Sequence, residues 1–229
     1  MNLDKLNEPQ REAVLHPEGP LLVLAGAGSG KTRVLTMRIA HLIAERGVAA
    51  ERILALTFTN KAAKEMRTRL GGLLGSAPKG LWIGTFHAIA TRMLRPYADR
   101  LGFQAGFAIF DEDDARSILK RALAELELDV KKYPIATLVA GISKAKSELL
   151  TPDQLPVKKA SDRALRLVYE RYQELSRESN GMDFDDLIVN LVQLLSQDAE
   201  VLQKWQEQFE YILVDEYQDT NRAQYELLR

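Results

Sequence analysis

The sequence has 229 residues, 46% of them hydrophobic, and a formal net charge of −1. It is long enough to bury one or two cores, and its overall charge favours no class of partner. The absence of cysteine excludes disulfides and cysteine-ligated zinc. No apolar stretch approaches the roughly 20 residues that span a bilayer, and the polar amino terminus lacks the apolar core of a signal peptide. We therefore expect a cytoplasmic protein with no membrane segment and no zinc.

The first predicted element is a short helix over residues 4–16, which Pro17 ends. Gln10 lies within it, about 15 residues before a glycine-rich segment. Its side-chain amide carries both a donor and an acceptor, the pair that can bind the edge of an adenine. On composition alone, an ordinary surface glutamine is the default interpretation.

The chain is organised around residues 21–32, LLVLAGAGSGKT. The apolar run Leu21–Leu24 predicts a buried parallel strand that enters a turn. An amphipathic helix follows the turn. Gly26, Gly28 and Gly30 allow successive backbone N–H groups to converge on an anion, and the helix dipole adds to the same point.

This segment predicts a P-loop, the phosphate-binding loop of many nucleotide-binding proteins. Lys31 can reach the β and γ phosphates, and the Thr32 hydroxyl can ligate Mg²⁺. Ala25 occupies the first glycine position of GxxxxGK[ST], which an alanine can fill if its φ is negative. The alternative is a glycine-rich turn that only joins a strand to a helix. The order of strand, glycines, Lys-Thr pair and helix favours phosphate binding.

Two further strands are predicted over residues 52–58 and 81–85, each followed by a helix. This alternation predicts right-handed crossovers and a parallel sheet, and therefore an α/β fold flanked by helices. Ligands of such sheets bind at the carboxyl edge, where residues 57–61 and the pair 86–87 are expected. The glycine pair 71–72 is predicted to end the helix between the two strands.

From about residue 88 to residue 208, periodic apolar patterns replace the strand signals. They predict an all-helical subdomain inserted into the α/β domain, which would comprise residues 1–87 and 209–229. Two acidic runs, residues 111–114 and 183–186, each begin a predicted helix. Capping of the helix amino terminus is the preferred explanation for both, and a metal site is the alternative.

The charges are unevenly distributed. Residues 59–100 carry eight basic and two acidic residues, a net of +6, whereas residues 181–229 have a net of −8. A basic local field within a near-neutral protein can form a track for a phosphate backbone. Solvated helix faces are the alternative explanation for each charge taken alone.

The last predicted strand, Tyr211–Val214, is followed directly by Asp215 and Glu216. Two carboxylates after a buried strand are costly unless a cation lies near them. Asp215 can hold the Mg²⁺ that Thr32 touches, often through water. Glu216 can orient or deprotonate an attacking water. The alternative is an acidic turn that caps a helix.

Five motifs occur in this order: AGAGSGKT, TFTNKAAKEM, GTFH, DFDDL and DEYQDT. With them the chain resembles the UvrD/PcrA/Rep-like superfamily 1 DNA helicases over essentially all of its length. The resemblance implies a RecA-like P-loop NTPase fold and an ATP-driven motor that moves 3′ to 5′ on single-stranded DNA. It also implies action at junctions between single and double strands, as in DNA repair, with ATP and Mg²⁺ as cofactors.

The resemblance implies roles for individual residues as well. Gln10 is the expected adenine contact. The expected nucleotide cradle comprises Gly26, Ala27, Gly28, Ser29, Gly30, Lys31, Thr32 and Arg33. The expected single-strand contacts are Phe58, Thr59, Asn60, Lys61, Gly84, Thr85, Phe86 and His87. Catalysis is expected from Lys31, Asp215 and Glu216, and Mg²⁺ ligation from Thr32 and Asp215. DFDDL also matches a family signature.

Helicases of this family continue past the position of Arg229 with a second RecA-like domain, whose arginines complete the ATP site. We therefore expect an amino-terminal portion that is inactive alone. Two other hypotheses stay open. One is a P-loop ATPase or phosphotransferase without a nucleic-acid role, and the other is a RecB-like or AddA-like helicase–nuclease subunit. The basic stretch 59–100, with Phe58, Trp82, Phe86 and His87, favours a DNA role over a metabolite ATPase.

Overall fold

A computed structural model describes residues 3–26 and 28–229. By packing, the chain divides into two compact units. The first comprises the residues up to Ile89 together with Gln203–Asp219, and the second comprises Ala90–Leu202 together with Thr220–Arg229. The sequence prediction placed all of residues 209–229 in the α/β domain, whereas the last ten residues pack within the second, mainly helical unit.

The helices and strands, in chain order, are α1 Glu8–Leu15, α2 Lys31–Ala44, β1 Ile53–Thr57, α3 Asn60–Leu74, β2 Trp82–Thr85, α4 Phe86–Leu94, β3 Ala108–Ile109, α5 Glu112–Glu125, α6 Ile135–Ser147, α7 Ala160–Glu178, β4 Gly181–Met182, α8 Phe184–Gln197, α9 Ala199–Gln208, β5 Tyr211–Val214 and α10 Arg222–Glu226. Short 3₁₀ turns lie at Ala50–Arg52, Arg95–Leu101, Pro152–Gln154 and Tyr217–Asp219.

The first unit is built on a parallel sheet of order β2-β1-β5. The central strand β1 is buried along all five residues, as expected for a parallel strand with helices on its faces. Helices α2 and α3 supply the apolar side chains that cover it, and the core comprises Ile39, Ala40, Leu42, Ile53, Ala55, Ala63, Met66, Leu70, Ile83 and Leu213. The predicted α/β fold is confirmed.

The predicted strand over Leu21–Leu24 is wrong for this structure. These residues form no strand, and all four are exposed, with Leu22 at 64% and Leu24 at 86%. An apolar run becomes a buried strand only when its backbone pairs with a neighbour. Among the described residues, β5 pairs only with β1, so the run has no ladder partner.

Helix α3 also departs from the prediction, because it continues through Gly71 and Gly72 to Leu74, with Gly75 as its C-cap. Gly75 has φ +77, the left-handed conformation that commonly ends a helix. Each interior glycine costs about 1 kcal/mol relative to alanine. Burial of Met66 and Leu70 against the sheet outweighs that cost.

The second unit is helical, with one small addition. Its core comes mainly from α5, α6 and α7, and includes Leu119, Ala122, Leu123, Leu138, Ile142, Ala145, Val168, Tyr169, Tyr172 and Leu175. Strands β3 and β4 form a two-residue parallel ladder in the region predicted as all-helical. A Cβ on Gly181 would overlap the Phe110 ring, so only glycine fits there.

Both acidic runs cap helices. Asp111 accepts the N–H groups of Asp113 and Asp114 at the start of α5, and Asp183 accepts the N–H of Asp186 at the start of α8. Within residues 3–26 and 28–229, no group of three or more His, Cys, Asp or Glu side chains is arranged to hold a metal ion. Capping is therefore the explanation that the structure supports for both runs.

The second run has a further partner, Lys146 of α6. Its ammonium is fully buried and lies 2.6 Å from Asp183 Oδ2 and 2.7 Å from Asp186 Oδ1. The Tyr172 hydroxyl donates to the same Asp183 oxygen at 2.8 Å. This buried cluster, which we call the Lys146 cluster, joins α6, α7 and α8 by charge-assisted hydrogen bonds.

In the described part of the chain, no helix combines the length and the apolar character needed to cross a membrane.

Candidate nucleotide-binding site and nucleic-acid surface

The glycine-rich segment forms a turn immediately before α2. The Ser29 hydroxyl donates to the Gly26 carbonyl at 2.7 Å, and Gly28 and Gly30 have φ of +74° and +90°, which only glycine adopts without strain. Gly30 is the N-cap of α2 and supplies no side chain to its first N–H groups. Those donors can bind an anion. The expected contact Ala27 lies outside the described residues.

Lys31, the first residue of α2, folds back over this turn. Its ammonium donates to the carbonyl oxygens of Ala25 at 3.3 Å and Gly26 at 3.5 Å. It also lies 3.8 Å from Glu216 Oε2. The phosphate-binding lysine of the prediction is therefore placed between the loop and a carboxylate from the end of β5.

Thr32 and Asp215 meet although 183 positions separate them. The Thr32 hydroxyl donates to Asp215 Oδ2 at 3.0 Å. The Asp215 N–H continues the sheet by donating to the Leu56 carbonyl at 2.9 Å, which fixes the carboxylate at the carboxyl edge. Asp215 is only 7% exposed, and this burial raises its pKa. The Thr32 hydrogen bond opposes the increase, and the charge of the neighbouring Glu216 adds to it.

The side-chain oxygens of Thr32 and Asp215 suit Mg²⁺ as ligands. Hydroxyl and carboxylate oxygens are its preferred protein ligands, and two such groups are the usual protein contribution when phosphates and water supply the rest. The separation of 3.0 Å between the two oxygens is close to the edge of an octahedron with bonds of about 2.0–2.1 Å. Thr32 and Asp215 therefore fit the ion that the sequence predicts there.

Glu216 has a strained backbone. Its φ is +53, the left-handed region that residues other than glycine rarely adopt. Such strain persists only where the surroundings hold it, and it is common at functional sites. The Gln218 amide donates to Glu216 Oε2 and so restrains the carboxylate. Sequence analysis gave Gln218 no role; its position two residues after a candidate base was the available signal.

Gln10 binds the loop directly. Its Nε2 donates to the Ser29 carbonyl at 2.9 Å, and its Oε1 accepts the Asn7 N–H at 3.2 Å as part of the capping box of α1. A glutamine amide has two hydrogens and two lone pairs. One donor and one acceptor therefore stay available, which is the pair that binds the N6 and N7 atoms of adenine.

Arg33 faces away from the turn. Its Nη2 donates to the Lys5 carbonyl at 3.2 Å. It thus ties the chain before α1 to α2, and it has no hydrogen bond to the described residues of the loop. It stays a predicted nucleotide contact.

Four of the expected DNA contacts follow β1 and are accessible. Phe58 is partly buried, and its ring centroid lies 5.5 Å from that of Phe86. Thr59 is the N-cap of α3 and accepts the Ala62 N–H. Asn60 and Lys61 begin α3 and are exposed.

The other four lie at the end of β2 and the start of α4, and three of them are buried. Phe86 is 2% exposed, so its faces are covered by protein in this structure. The Thr85 hydroxyl accepts the Ala88 N–H and so begins α4. A Cβ at Gly84 would lie 3.3 Å from Ile89. His87 is partly exposed.

The basic stretch 59–100 divides between the two units, and several of its cations have partners within their own unit. Arg69 pairs with Glu65, and Arg100 pairs with Asp198 and Glu200. Arg67 donates to the Ile83 carbonyl and Arg95 to the Ala105 carbonyl. Lys61 and Lys64, on the first turns of α3, stay exposed, beside Phe58, Thr59 and Asn60.

Known proteins match this sequence over nearly its whole length. The family model of the UvrD/REP helicase N-terminal domain matches residues 6–229. The chain is 47% identical over 233 residues to the ATP-dependent DNA helicase UvrD1 of Mycobacterium tuberculosis (strain ATCC 25618 / H37Rv), which covers 99% of this chain and 30% of that protein. It is 47% identical over 229 residues to the ATP-dependent DNA helicase PcrA of Bacillus subtilis (strain 168), covering 99% and 31%. The chain thus spans about 30% of the length of these curated relatives. It belongs to the UvrD/REP helicase N-terminal domain family.

Proposed function

We propose that this chain carries one wall of the ATP site, and part of the single-strand contact surface, of a DNA helicase that moves 3′ to 5′. The observation that carries the proposal is the 3.0 Å contact between Thr32 and Asp215. It joins a phosphate-binding helix terminus to a carboxylate at the end of a parallel strand, as a P-loop NTPase requires. The names of the relatives, ATP-dependent DNA helicases, supply the substrate class.

In this proposal the loop binds the triphosphate. The uncapped N–H groups at the start of α2 contact phosphate oxygens, and the Lys31 ammonium turns from the Ala25 and Gly26 carbonyls to the β and γ phosphates. Its nearness to Glu216, 3.8 Å, keeps it at the reacting end. Gln10 binds adenine with the amide hydrogen and lone pair that Ser29 and Asn7 leave available.

Thr32 and Asp215 would hold Mg²⁺, which when bound neutralises phosphate charge. Glu216 acts on the attacking water, either orienting it or accepting its proton. The Gln218 amide holds the Glu216 carboxylate in place while it does so. Asp215 must be ionised to bind a cation, and its raised pKa means that acidification removes this ligand before an ordinary aspartate would protonate.

The DNA surface in this proposal is the exposed segment after β1. Phe58 offers part of a ring for base stacking, Thr59 and Asn60 offer polar groups, and Lys61 and Lys64 offer positive charge to the phosphate backbone. His87 is the accessible candidate from the segment after β2. We also propose that the remaining helicase domains, single-stranded DNA and strand junctions are its partners in a cytoplasmic DNA repair enzyme.

A strand-displacement assay tests the proposal in the complete gene product. Duplexes with either a 3′ or a 5′ single-stranded tail are given to wild type and to Lys31→Ala, with ATP and Mg²⁺. We expect wild type to separate only the 3′-tailed duplex and Lys31→Ala to separate neither. Unwinding from 5′ tails would contradict the polarity. ATP turnover without unwinding or DNA stimulation would favour the P-loop ATPase or phosphotransferase hypothesis instead.

A further inference from the structure

Arg38 of α2 is a buried cation that binds four backbone carbonyls. It is 9% exposed. Its Nη1 donates to the carbonyl oxygens of Ala13 at 3.2 Å, Val14 at 3.3 Å and His16 at 2.8 Å, and its Nη2 donates to that of Pro17 at 3.4 Å. These carbonyls lie at the end of α1, where the last carbonyls of a helix lack partners within the helix.

The charge of Arg38 is stabilised by this helix end. Helix α1 has no basic residue in its own last turn, and the partial negative charge there favours a cation. In the ranges 3–26 and 28–229, no carboxylate forms an ion pair with Arg38. Burial lowers its pKa, yet arginine stays charged throughout the ordinary pH range. The guanidinium therefore stays charged and hydrogen-bonded to the carbonyls at the end of α1.

The other end of α1 is fixed to the phosphate loop. Gln10 donates to the Ser29 carbonyl, and Arg33 donates to the Lys5 carbonyl. Between the two ends, apolar side chains pack α1 against α2: Leu6, Ala13, Val14, Val34 and Met37. A helix of eight residues is not stable by itself, so its position depends on these contacts.

We propose that Arg38 is a positioning residue for base recognition. By holding the carboxyl end of α1 on α2, it fixes the Gln10 carboxamide beside the phosphate loop and so sets the preference for adenine. Arg38 lies seven residues after Lys31, or about 10 Å along the helix, and therefore acts through α1. This inference rests on the proposed function, because it takes Gln10 to be the adenine contact.

Equilibrium binding of ATP and of GTP to the 229-residue chain tests the proposal. The variants are Gln10→Ala, Arg38→Met, the double variant, and Arg46→Met as the matched control. Arg46 is exposed and pairs with the exposed Glu18 at 3.7 Å. We expect Gln10→Ala and Arg38→Met each to lower the ratio of ATP to GTP affinity about tenfold. The double variant should lose no more than either single one, because both remove the same contact. Arg46→Met should match wild type.

Arg38→Lys provides a second test if Arg38→Met folds poorly. A single ammonium cannot reach all four carbonyls, so we expect this variant to fold and to show an intermediate ratio. An unchanged ratio in Arg38→Met or Arg38→Lys would overturn the proposal, as would effects of Gln10→Ala and Arg38→Met that multiply. If the proposed function itself is wrong, the result differs from these outcomes. Wild type would then bind neither nucleotide, or would bind ATP independently of Lys31.

Discussion

Lys31 and Glu216 lie 3.8 Å apart, yet the proposed function gives them different steps. In that proposal Lys31 supplies charge to the phosphates, so Lys31→Ala should weaken ATP binding and abolish turnover. Glu216→Gln keeps the shape of the side chain but removes the base. Nucleotide should still bind to it, while hydrolysis falls by about 10²-fold or more. ATP binding and steady-state ATPase of the complete gene product measure the two effects.

Glu207→Gln is the matched control for that experiment. Glu207 lies on α9, where its carboxylate accepts a hydrogen bond from Gln203, and the change should leave both binding and turnover unaltered. Near-normal ATPase in Glu216→Gln would refute the role assigned to Glu216.

Phe58 should contribute to single-strand binding. We expect Phe58→Ala to weaken the affinity for oligo-dT by about 1–3 kcal/mol, the usual contribution of one base–aromatic stack, with little effect on ATP affinity in the absence of DNA. Fluorescence anisotropy at fixed salt measures this change. Phe58→Tyr keeps the ring and is the control. If Phe58→Ala instead lowers the midpoint of unfolding and the folded fraction binds DNA normally, Phe58 is a core residue.

The sequence predicted some residue placements well and others poorly, for physical reasons. The sequence predicts Thr32 and Asp215 together because a P-loop needs a carboxylate near its Lys-Thr pair, and Asp215 directly follows a predicted strand of the sheet. Phe86 also follows a strand that ends at the carboxyl edge of the sheet, but this position does not determine which aromatic side chain turns into the core. Packing decided that, and Phe86 is buried whereas Phe58 is partly open. No local sequence pattern indicates the role of Arg38, because its partners are backbone carbonyls at the end of another helix.

Among the elements, α6 and α8 are joined by the Lys146 cluster, which holds two carboxylates and one ammonium. Burial raises the pKa of Asp186 to about 6; the Asp183 carboxylate adds to this shift, and Lys146 opposes it. The raised value means that Asp186 contributes most to stability when protonated. That contribution is fully present below the unfolded pKa of about 3.9 and is lost as the pH rises through about 6.

We therefore expect the cost of Asp186→Asn to depend on pH. The free energy of unfolding of wild type minus that of this variant should be more positive at pH 4.5 than at pH 7.5, because wild type loses stability as Asp186 ionises whereas the neutral amide does not titrate. Urea unfolding at several pH values measures it, with Asp185→Asn in the same helical turn as the control. A difference that is constant, or that grows with pH, would show that Asp186 stays ionised beside Lys146.

The elements that the sequence predicted wrongly depend on partners distant in the chain. Residues 21–24 have the apolar character of a strand but no ladder partner in the described sheet. The glycine pair 71–72 has the character of a helix end, yet α3 continues because its other residues pack on the sheet. The short ladder of β3 and β4 was not predicted, since two residues leave no periodic pattern.

At the scale of the whole molecule, we propose that this chain forms one wall of the ATP site. Among the residues that the structure describes, Lys31 is the only cation in ion-pair contact with Asp215 or Glu216. Phosphoryl transfer also needs cationic stabilisation of the developing charge. An arginine finger provides it and increases the rate by about 10³–10⁵-fold. We therefore expect the 229-residue chain to fold, to bind single-stranded DNA weakly at low salt, and to show almost no DNA-stimulated ATPase and no unwinding.

The steady-state rate of ATP hydrolysis with and without oligo-dT tests this expectation, with Lys31→Ala as the control for contaminating activity. Robust stimulated turnover that Lys31→Ala abolishes would mean that the chain completes its own site, for example by pairing with a second copy.

We propose that the phosphate loop and the end of β5 form a single ATP–metal site, and binding of Mn²⁺ with ATP tests this most directly. Electron paramagnetic resonance of free Mn²⁺ in an ATP titration of the 229-residue chain gives the affinity without requiring turnover. We predict that Thr32→Val and Asp215→Asn each weaken Mn²⁺–ATP binding about tenfold or more, while Thr68→Val, a matched change on the exposed face of α3, leaves it unchanged. Wild-type affinity in both Thr32→Val and Asp215→Asn would contradict the account.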